Sequence, residues 1–361
     1  MEDQSVTVTE SQVLNALRTI KDPDLHRDIV TLGFVQDVKI CAGQVAFKIV
    51  LTTPACPVRD KMRDEARNVV QALPGVTSVD VQMDAKVGTT MGIPEKLAIP
   101  GIRNILVVGS GKGGVGKSTV TANLAISLAR LGAKVGLMDG DIYGPNIPLM
   151  MGITEQPMIH HERVLPVVKH DIKVISMGFF NRGDTPVIWR GPMLHSAIQQ
   201  FLKQVEWGEL DYLLVDLPPG TGDVQLTLVQ SVPLTGAVVV STPQDVALQD
   251  ARKAIMMFKQ MKVEVLGIVE NMSYFSCPHC HQRTDIFSHG GARKASEKFS
   301  VPFLGEIPLD LAIREGGDTG QPITVLQPDS DLAKIFSGVA EQLAAQISIS
   351  NFKQAPVPMT V

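Results

Sequence analysis

The chain has 361 residues, room for two domains of ordinary size. Apolar residues make up 44% and charged residues 19%, which supports a large core and excludes wholesale disorder. Against 37 acidic side chains there are 33 basic ones, a net charge of −4 that excludes a broad basic footprint for nucleic acid or anionic lipid. No apolar run approaches the roughly 18 residues of a membrane span. The segment MEDQSVTVTE lacks the positive start and apolar stretch of a signal peptide. A cytoplasmic protein with neither membrane nor nucleic-acid partners is therefore expected.

Residues 1–84 read as a small α+β domain. A helix runs from Glu10 through Leu14, Leu17 and Ile20, with Pro23 closing it. Strands are expected over Phe34–Ile40 and Gln44–Leu51, joined at Ala42-Gly43, then a charged helix over Val58–Leu73 and a strand over Val76–Met83. Residues 85–101, rich in Gly and Pro without a sustained period, read as a linker. From 102 to 347 short apolar runs alternate with helical ones. The apolar runs are Ile105–Val108, Val135–Met138, Tyr212–Val215, Ala237–Val240, Val265–Val269 and Phe303–Leu304. Helices fit over Lys117–Leu131, Met193–Val205 and Asp245–Met261, the last with Thr242, Pro243 and Asp245 as N-cap, N1 and N3. Strands without alternation, separated by helices, predict a doubly wound α/β domain on a mostly parallel sheet. A final helix, Leu332–Ile347, leads to a flexible tail at 348–361.

Gly111-Lys112-Gly113-Gly114-Val115-Gly116-Lys117-Ser118 matches GxxxxGK[ST] between a strand and a helix, where a phosphate loop must sit. Glycines let backbone N–H groups curl around a β-phosphate, and the helix N-terminus adds positive potential. Lys117 would bridge β- and γ-oxygens, and the hydroxyl of Ser118, which Thr119 follows, would bind Mg²⁺. Asp139-Gly140-Asp141 and Asp216-Leu217-Pro218-Pro219-Gly220 follow later strands, at the sheet edge where ligands bind. Asp216 is expected in the magnesium shell and Asp141 near the attacking water. Gly220 would offer a backbone N–H to the γ-phosphate; a lone Asp in either place would read as a helix cap. Glu270-Asn271-Met272-Ser273 lacks the Asn-Lys-x-Asp pattern that suits guanine. The amide of Asn271, with a donor and an acceptor, favours adenine and hence ATP.

With Lys112 the loop resembles the deviant Walker A sequence of the septum-positioning, plasmid-partition and nitrogenase-iron-protein class of ATPases. That resemblance implies a lysine reaching across a homodimer to the partner's phosphates; by spacing alone Lys112 is equally a solvated cation. Asp139–Asn146, Asp216–Asp223, Glu270–Ser273, Cys277-Pro278-His279-Cys280 and Gly305–Asp310 look like the Mrp/ApbC branch of iron–sulfur cluster carriers. The leading domain, with Asp22-Pro23-Asp24 and Thr52–Pro57, is similar to a small domain of cluster-assembly factors. The resemblance covers nearly the whole chain.

Cys277 and Cys280 can bite one metal centre, yet a cubane cluster or structural zinc usually takes four ligands. Two copies sharing one centre would supply the other pair, and the resemblance implies a [4Fe–4S] cluster bridged in this way. Zinc completed by His279, His281 or His289 is the rival reading, and a thiol–disulfide couple a third. Cys41 reads as a buried small residue. Cys56 reads either as inert core or as a thiolate at a helix N-terminus with a part in handover. Three functions compete. The leading one is an ATP-hydrolysing carrier that receives a cluster from a donor and passes it to apoproteins. The others are a cargo-positioning ATPase, disfavoured by a final helix with one lysine, and a zinc-stabilised scaffold clamped by nucleotide. A nitrogenase-type electron donor fits less well.

Overall fold

The computed structural model describes residues 8–90, 99–141, 144–161, 163–179, 191–222, 225–226, 229–230 and 234–354. Ile142, Tyr143 and Asp223 of the expected motifs, linker residues 91–98 and the tail beyond 354 lie outside that set. Two compact units divide the chain, Met1–Gly88 and Thr89–Val361.

In the first unit, helix α1 (Glu10–Leu17) is opened by a capping box: Thr9 accepts from the Gln12 backbone while the Gln12 side chain accepts from Thr9. It stops three residues short of Ile20. There the backbone pairs with Ile29 instead, and Asp22 accepts from the N–H groups of Asp24 and Leu25. Strands β1 (Val35–Cys41) and β2 (Gln44–Leu51) are antiparallel, and β3 (Ser78–Ala85) returns parallel to β2. The crossover helix α2 (Arg59–Gln71) buries Met62, Ala66 and Val70, four residues apart on one stripe. Cys41, expected inside, is exposed, because it ends β1 on the outward face beside the turn. Cys56 is half-buried against the core of this unit.

The second unit is built on an eight-stranded sheet. Its strands are β4 (Ile102–Gly109), β5 (Val135–Asp139), β8 (Val167–Lys169), β9 (Ile172–Ser176), β10 (Leu210–Asp216), β11 (Gly236–Ser241), β12 (Val265–Glu270) and β15 (Phe303–Glu306), in the spatial order β15-β12-β11-β4-β10-β5-β9-β8. Short hairpins pair β6 (Met158–His160) with β7 (Arg163–Leu165), and β13 (Phe275–Ser276) with β14 (Arg283–Thr284). Every pairing in the large sheet is parallel except β8 with β9 at one edge. Every residue of β5, β10, β11 and β12 is buried, as strands covered on both faces require. Among the described residues no helix is long and apolar enough to cross a membrane.

Three local expectations need correction. The helix Asp245–Gln260 has Gln244 as its N-cap and no side-chain cap, since the Thr242 hydroxyl meets the Gln244 side chain instead. Strands β8 and β9 form where the sequence predicts no strand. Their two-residue turn puts His170 and Asp171 at φ 52° and 61°, a hairpin geometry usually marked by Asn and Gly. The final helix runs from Asp331 to Gln354, so residues 348–354 are helix and not tail. There Ser350 donates to Glu264 at 2.6 Å, and the Asn351 amide donates to Asn104 Oδ1 at 2.9 Å. Asn104 in turn donates to the Asp211 carbonyl and accepts from Thr90. Polar residues that read as tail are thus a buried tether. Asn351→Ala removes a donor from the buried Asn104 oxygen and should lower the stability of the second unit by about 1–3 kcal/mol, measured by urea denaturation.

Candidate nucleotide and cysteine sites

Parallel pairing brings the ends of β4, β5, β10 and β12 to one edge, and the phosphate loop leaves β4 there. Gly116 sits at φ 80° as N-cap of helix α3 (Lys117–Arg130). A Cβ on it would lie 2.2 Å from the Asn271 amide nitrogen, and one on Gly111 would lie 2.1 Å from the Asp250 backbone. Both glycines therefore answer to close neighbours as well as to a turn. Ser110, residues 112–119, Asp141, Asn146, Met150 and Pro219 line a cavity of about 260 Å³. The predicted loop residues and Asp141 are together at one opening.

Beneath that opening the charges are arranged closely. Lys117 Nζ stands 2.8 Å from Asp216 Oδ2, and both groups are almost wholly buried. Ser118 donates to the same oxygen at 2.5 Å, and Thr121 Oγ1 lies 2.8 Å from Asp216 Oδ1. Sheet register sets Asp216 opposite Asp139. Burial, and then the neighbouring Asp216 charge, push the Asp139 carboxyl up from 3.8 to about 7. Asp139 is held by Ser176 Oγ at 2.9 Å and by the N–H groups of Asp141 and Ile147. Asp141 accepts from the Gly144 N–H.

Other predicted residues stand differently. The Gly220 N–H donates to the Ser110 carbonyl at 3.1 Å, so it is turned onto the start of the phosphate loop. Asn271 is buried, and its amide donates to the Val115 carbonyl at 2.9 Å, gripping that loop from beneath. Lys112 is half-buried beside the cavity; its carbonyl accepts from Ser110 Oγ at 2.9 Å, and its ammonium has no hydrogen bond or ion pair among the described contacts.

Cys277 and Cys280 lie in the loop between β13 and β14. The Cys277 N–H donates to the Gln282 carbonyl, and its own carbonyl accepts from His281, closing a tight knuckle. N–H groups of Cys280 and His279 and the Cys280 thiol hydrogen-bond to the Cys277 sulfur and lower its pKa below the ordinary thiol value. Cys280 is exposed and Cys277 partly so. Among the described residues no third metal-binding side chain joins the two sulfurs; the one set of three is Glu270, His289 and Glu306. His279 and His281 are exposed, and His289 is occupied with Arg283, Ser273 and Glu306, so among the described residues no four-ligand site is gathered around the two sulfurs. Thr121, the pairing of Asp139 with Asp216 and the gathering of Arg283, His289 and Glu306 around Glu270 carry no local sequence signal, since only register and folding bring them together.

The raised Asp139 pKa has a sign that can be checked. Between about pH 4 and 7 the folded protein holds a proton that the unfolded chain releases, so this group's contribution to stability falls as pH rises. Asp139→Asn should remove that slope, so its thermal midpoint relative to wild type rises between pH 5 and pH 8.

Comparison with known proteins agrees with this geometry. Residues 101–344 match the family described as NUBPL iron-transfer P-loop NTPase, and residues 10–81 match the iron–sulfur cluster assembly protein family. An iron–sulfur cluster carrier protein of Synechocystis is 50% identical, over 95% of this chain and 99% of its own. Its Escherichia coli K12 counterpart is 38% identical over 95% and 94%. A solved nucleotide-binding protein of Archaeoglobus fulgidus in complex with ADP superposes with a TM-score of 0.59 at 41% identity, covering 68% of this chain and 98% of that one. The septum site-determining protein MinD of Pyrococcus horikoshii, complexed with Mg-ADP, gives 0.51 at 26% identity over 66% and 94%. The chain belongs to the iron–sulfur cluster carrier family, with a NUBPL-type P-loop NTPase unit behind a unit of the cluster-assembly type.

Proposed function

We propose that this protein is a homodimeric ATPase that carries a [4Fe–4S] cluster between subunits and delivers it to apoproteins. The observation that carries this reading is the cysteine knuckle: two accessible sulfurs, one with a depressed pKa, and no further ligand gathered with them among the described residues. Four thiolates are the usual complement of a cubane cluster, so Cys277 and Cys280 are half a site and a second copy supplies the other half. A cargo bound across an interface by exposed sulfurs is open to attack by an acceptor's thiols.

At the nucleotide site the residues present fit a triphosphate with Mg²⁺. Ser118 Oγ and the Asp216 carboxylate, 2.5 Å apart, are hard oxygen donors of the kind magnesium takes. Bound there, the ion would neutralise charge on the phosphates. Lys117 would exchange Asp216 for β- and γ-oxygens, and the loop from Gly111 through Gly113, Gly114, Val115 and Gly116 to Thr119 would offer its N–H groups. Asp141, at the cavity wall, would orient the attacking water, and Gly220 would leave Ser110 to reach the γ-phosphate. The Lys112 ammonium, with no ion pair among the described contacts, would serve the partner's nucleotide, which would tie hydrolysis to dimerisation. Asn271 would hold the loop and face the adenine.

Two experiments test this reading. After anaerobic reconstitution, wild type should hold about two iron and two sulfide per chain, while Cys277→Ala and Cys280→Ala should each lose nearly all of both. One zinc per chain that iron does not displace would contradict the proposal. Separately, Lys117→Met should abolish ATP binding and destabilise the protein by about 3–5 kcal/mol, because Asp216 is left as an unpaired buried charge. Adding Asp216→Asn should restore most of the stability and none of the binding, read by denaturation and calorimetry.

A further inference from the structure

Glu270 ends β12 and is fully buried. Its carboxylate accepts from the N–H groups of Gly290 (3.0 Å) and Ala292 (2.6 Å) and from Ser273 Oγ (2.6 Å). Ser273 Oγ also lies 3.0 Å from Glu306 Oε2 and 3.1 Å from His289 Nδ1. Arg283, on the strand that leaves the cysteine loop, reaches into this group. Its Nη2 stands 2.8 Å from His289 Nδ1 and 3.7 Å from Glu306 Oε2, and its guanidinium lies 4.0 Å from the centre of the Tyr274 ring. Glu270, His289 and Glu306 have the makings of a cation site, and in this structure the guanidinium already supplies the positive charge there.

Next to Glu270 in the chain is Asn271, whose amide holds the Val115 carbonyl of the phosphate loop. Two adjacent residues at one strand end therefore grip two different things. One holds the loop that receives the nucleotide, and the other holds the cluster on which the cysteine hairpin is pinned. Five residues separate Asn271 from Cys277, and the connecting backbone is itself fixed, with the Ser273 and Leu309 N–H groups donating to the Ile307 and Tyr274 carbonyls. Polar contacts, joined by the covalent Glu270–Asn271 step, thus run from the phosphate loop to the hairpin that carries the cysteines, with Arg283 their only side-chain link into β14 among the described contacts.

We propose that Arg283 is a positioning residue which, through the Glu270–Ser273–His289–Glu306 cluster and Asn271, transmits nucleotide occupancy of the phosphate loop to the exposure of Cys277 and Cys280. This rests on the carrier reading only in taking those cysteines as the cargo site. When the nucleotide reshapes the loop at Val115, Asn271 and Glu270 shift as one strand end, and the hairpin follows because Arg283 fastens it to that cluster. Arg283 touches neither nucleotide nor sulfur, so its replacement leaves both sites chemically intact.

The test uses reduced, cluster-free, full-length protein. Alkylation of Cys277 and Cys280 by N-ethylmaleimide is timed by mass spectrometry, without nucleotide and with Mg-ATP. Wild type should show rates that differ by at least about threefold between the two conditions, the scale of coupling carried by such contact networks. In Arg283→Gln the ratio should fall to about one while ATP affinity, measured alongside, stays at the wild-type value. Ser273→Ala, which breaks the same chain inside the cluster, should do likewise. A change of basal rate alone would cancel in the ratio, so a merely structural effect does not mimic the result. Equal rates with and without nucleotide in wild type, or a wild-type ratio in both variants, would overturn the proposal. Failure of wild type to load iron and sulfide would instead sink the carrier reading, and it would leave the alkylation result standing because no cluster takes part in it.

Discussion

A lysine and an aspartate buried together beneath the phosphate loop set the terms for the second unit. Neither Lys117 nor Asp216 could be buried there alone, since an isolated charge in the interior costs several kcal/mol. Together, and with the hydroxyls of Ser118 and Thr121 spread over the two carboxylate oxygens, they form a neutral, hydrogen-bonded plug. In the proposed function the same plug is a poised site, because each member would have a better partner once phosphate and a divalent cation arrive. Its cost falls next door. Parallel register sets Asp139 beside Asp216, and the second carboxyl responds by holding its proton to about pH 7. The same backbone logic that builds the sheet thus concentrates charge at its edge, and the chain manages that charge by pairing one carboxylate and keeping the other neutral.

The cysteine knuckle follows the opposite plan. It is exposed, held by its own backbone, and has no protein ligand beyond its two sulfurs among the described residues. A structural metal site is closed by four ligands from one fold. A pair left open at the surface suits a cargo that must arrive and depart. Both plans meet at the end of β12, where Glu270 belongs to the support of the hairpin and Asn271 to the support of the loop.

What was legible in the sequence was whatever is written in contiguous residues. The phosphate loop from Gly111 to Ser118 could be read because curling backbone around a phosphate demands glycines at fixed spacing. Strands such as Val265–Glu270 could be read because burial on both faces demands unbroken apolar runs. The family resemblance drawn from Lys112, the aspartate loops and the CPHC segment agrees with the family matched over residues 101–344. Illegible were features assembled from distant residues. The cluster of Glu270, Ser273, Arg283, His289 and Glu306 spans four separate segments; Glu270–Ser273 and Gly305–Asp310 stand out one by one, and nothing in either says that they meet. Serines and an asparagine after Ile347 look like solvated tail until Glu264 and Asn104 are brought beside them. The titration of Asp139 depends on which strand is its neighbour, and local sequence does not encode that.

The most direct test of the central claim, that each chain offers half of a cluster site, is native mass spectrometry of the anaerobically reconstituted protein. The account predicts a dimer carrying one four-iron, four-sulfide unit, which collapses to bare monomers in Cys280→Ala. A monomer holding a complete metal centre of its own, or a dimer with no inorganic sulfide, would contradict it.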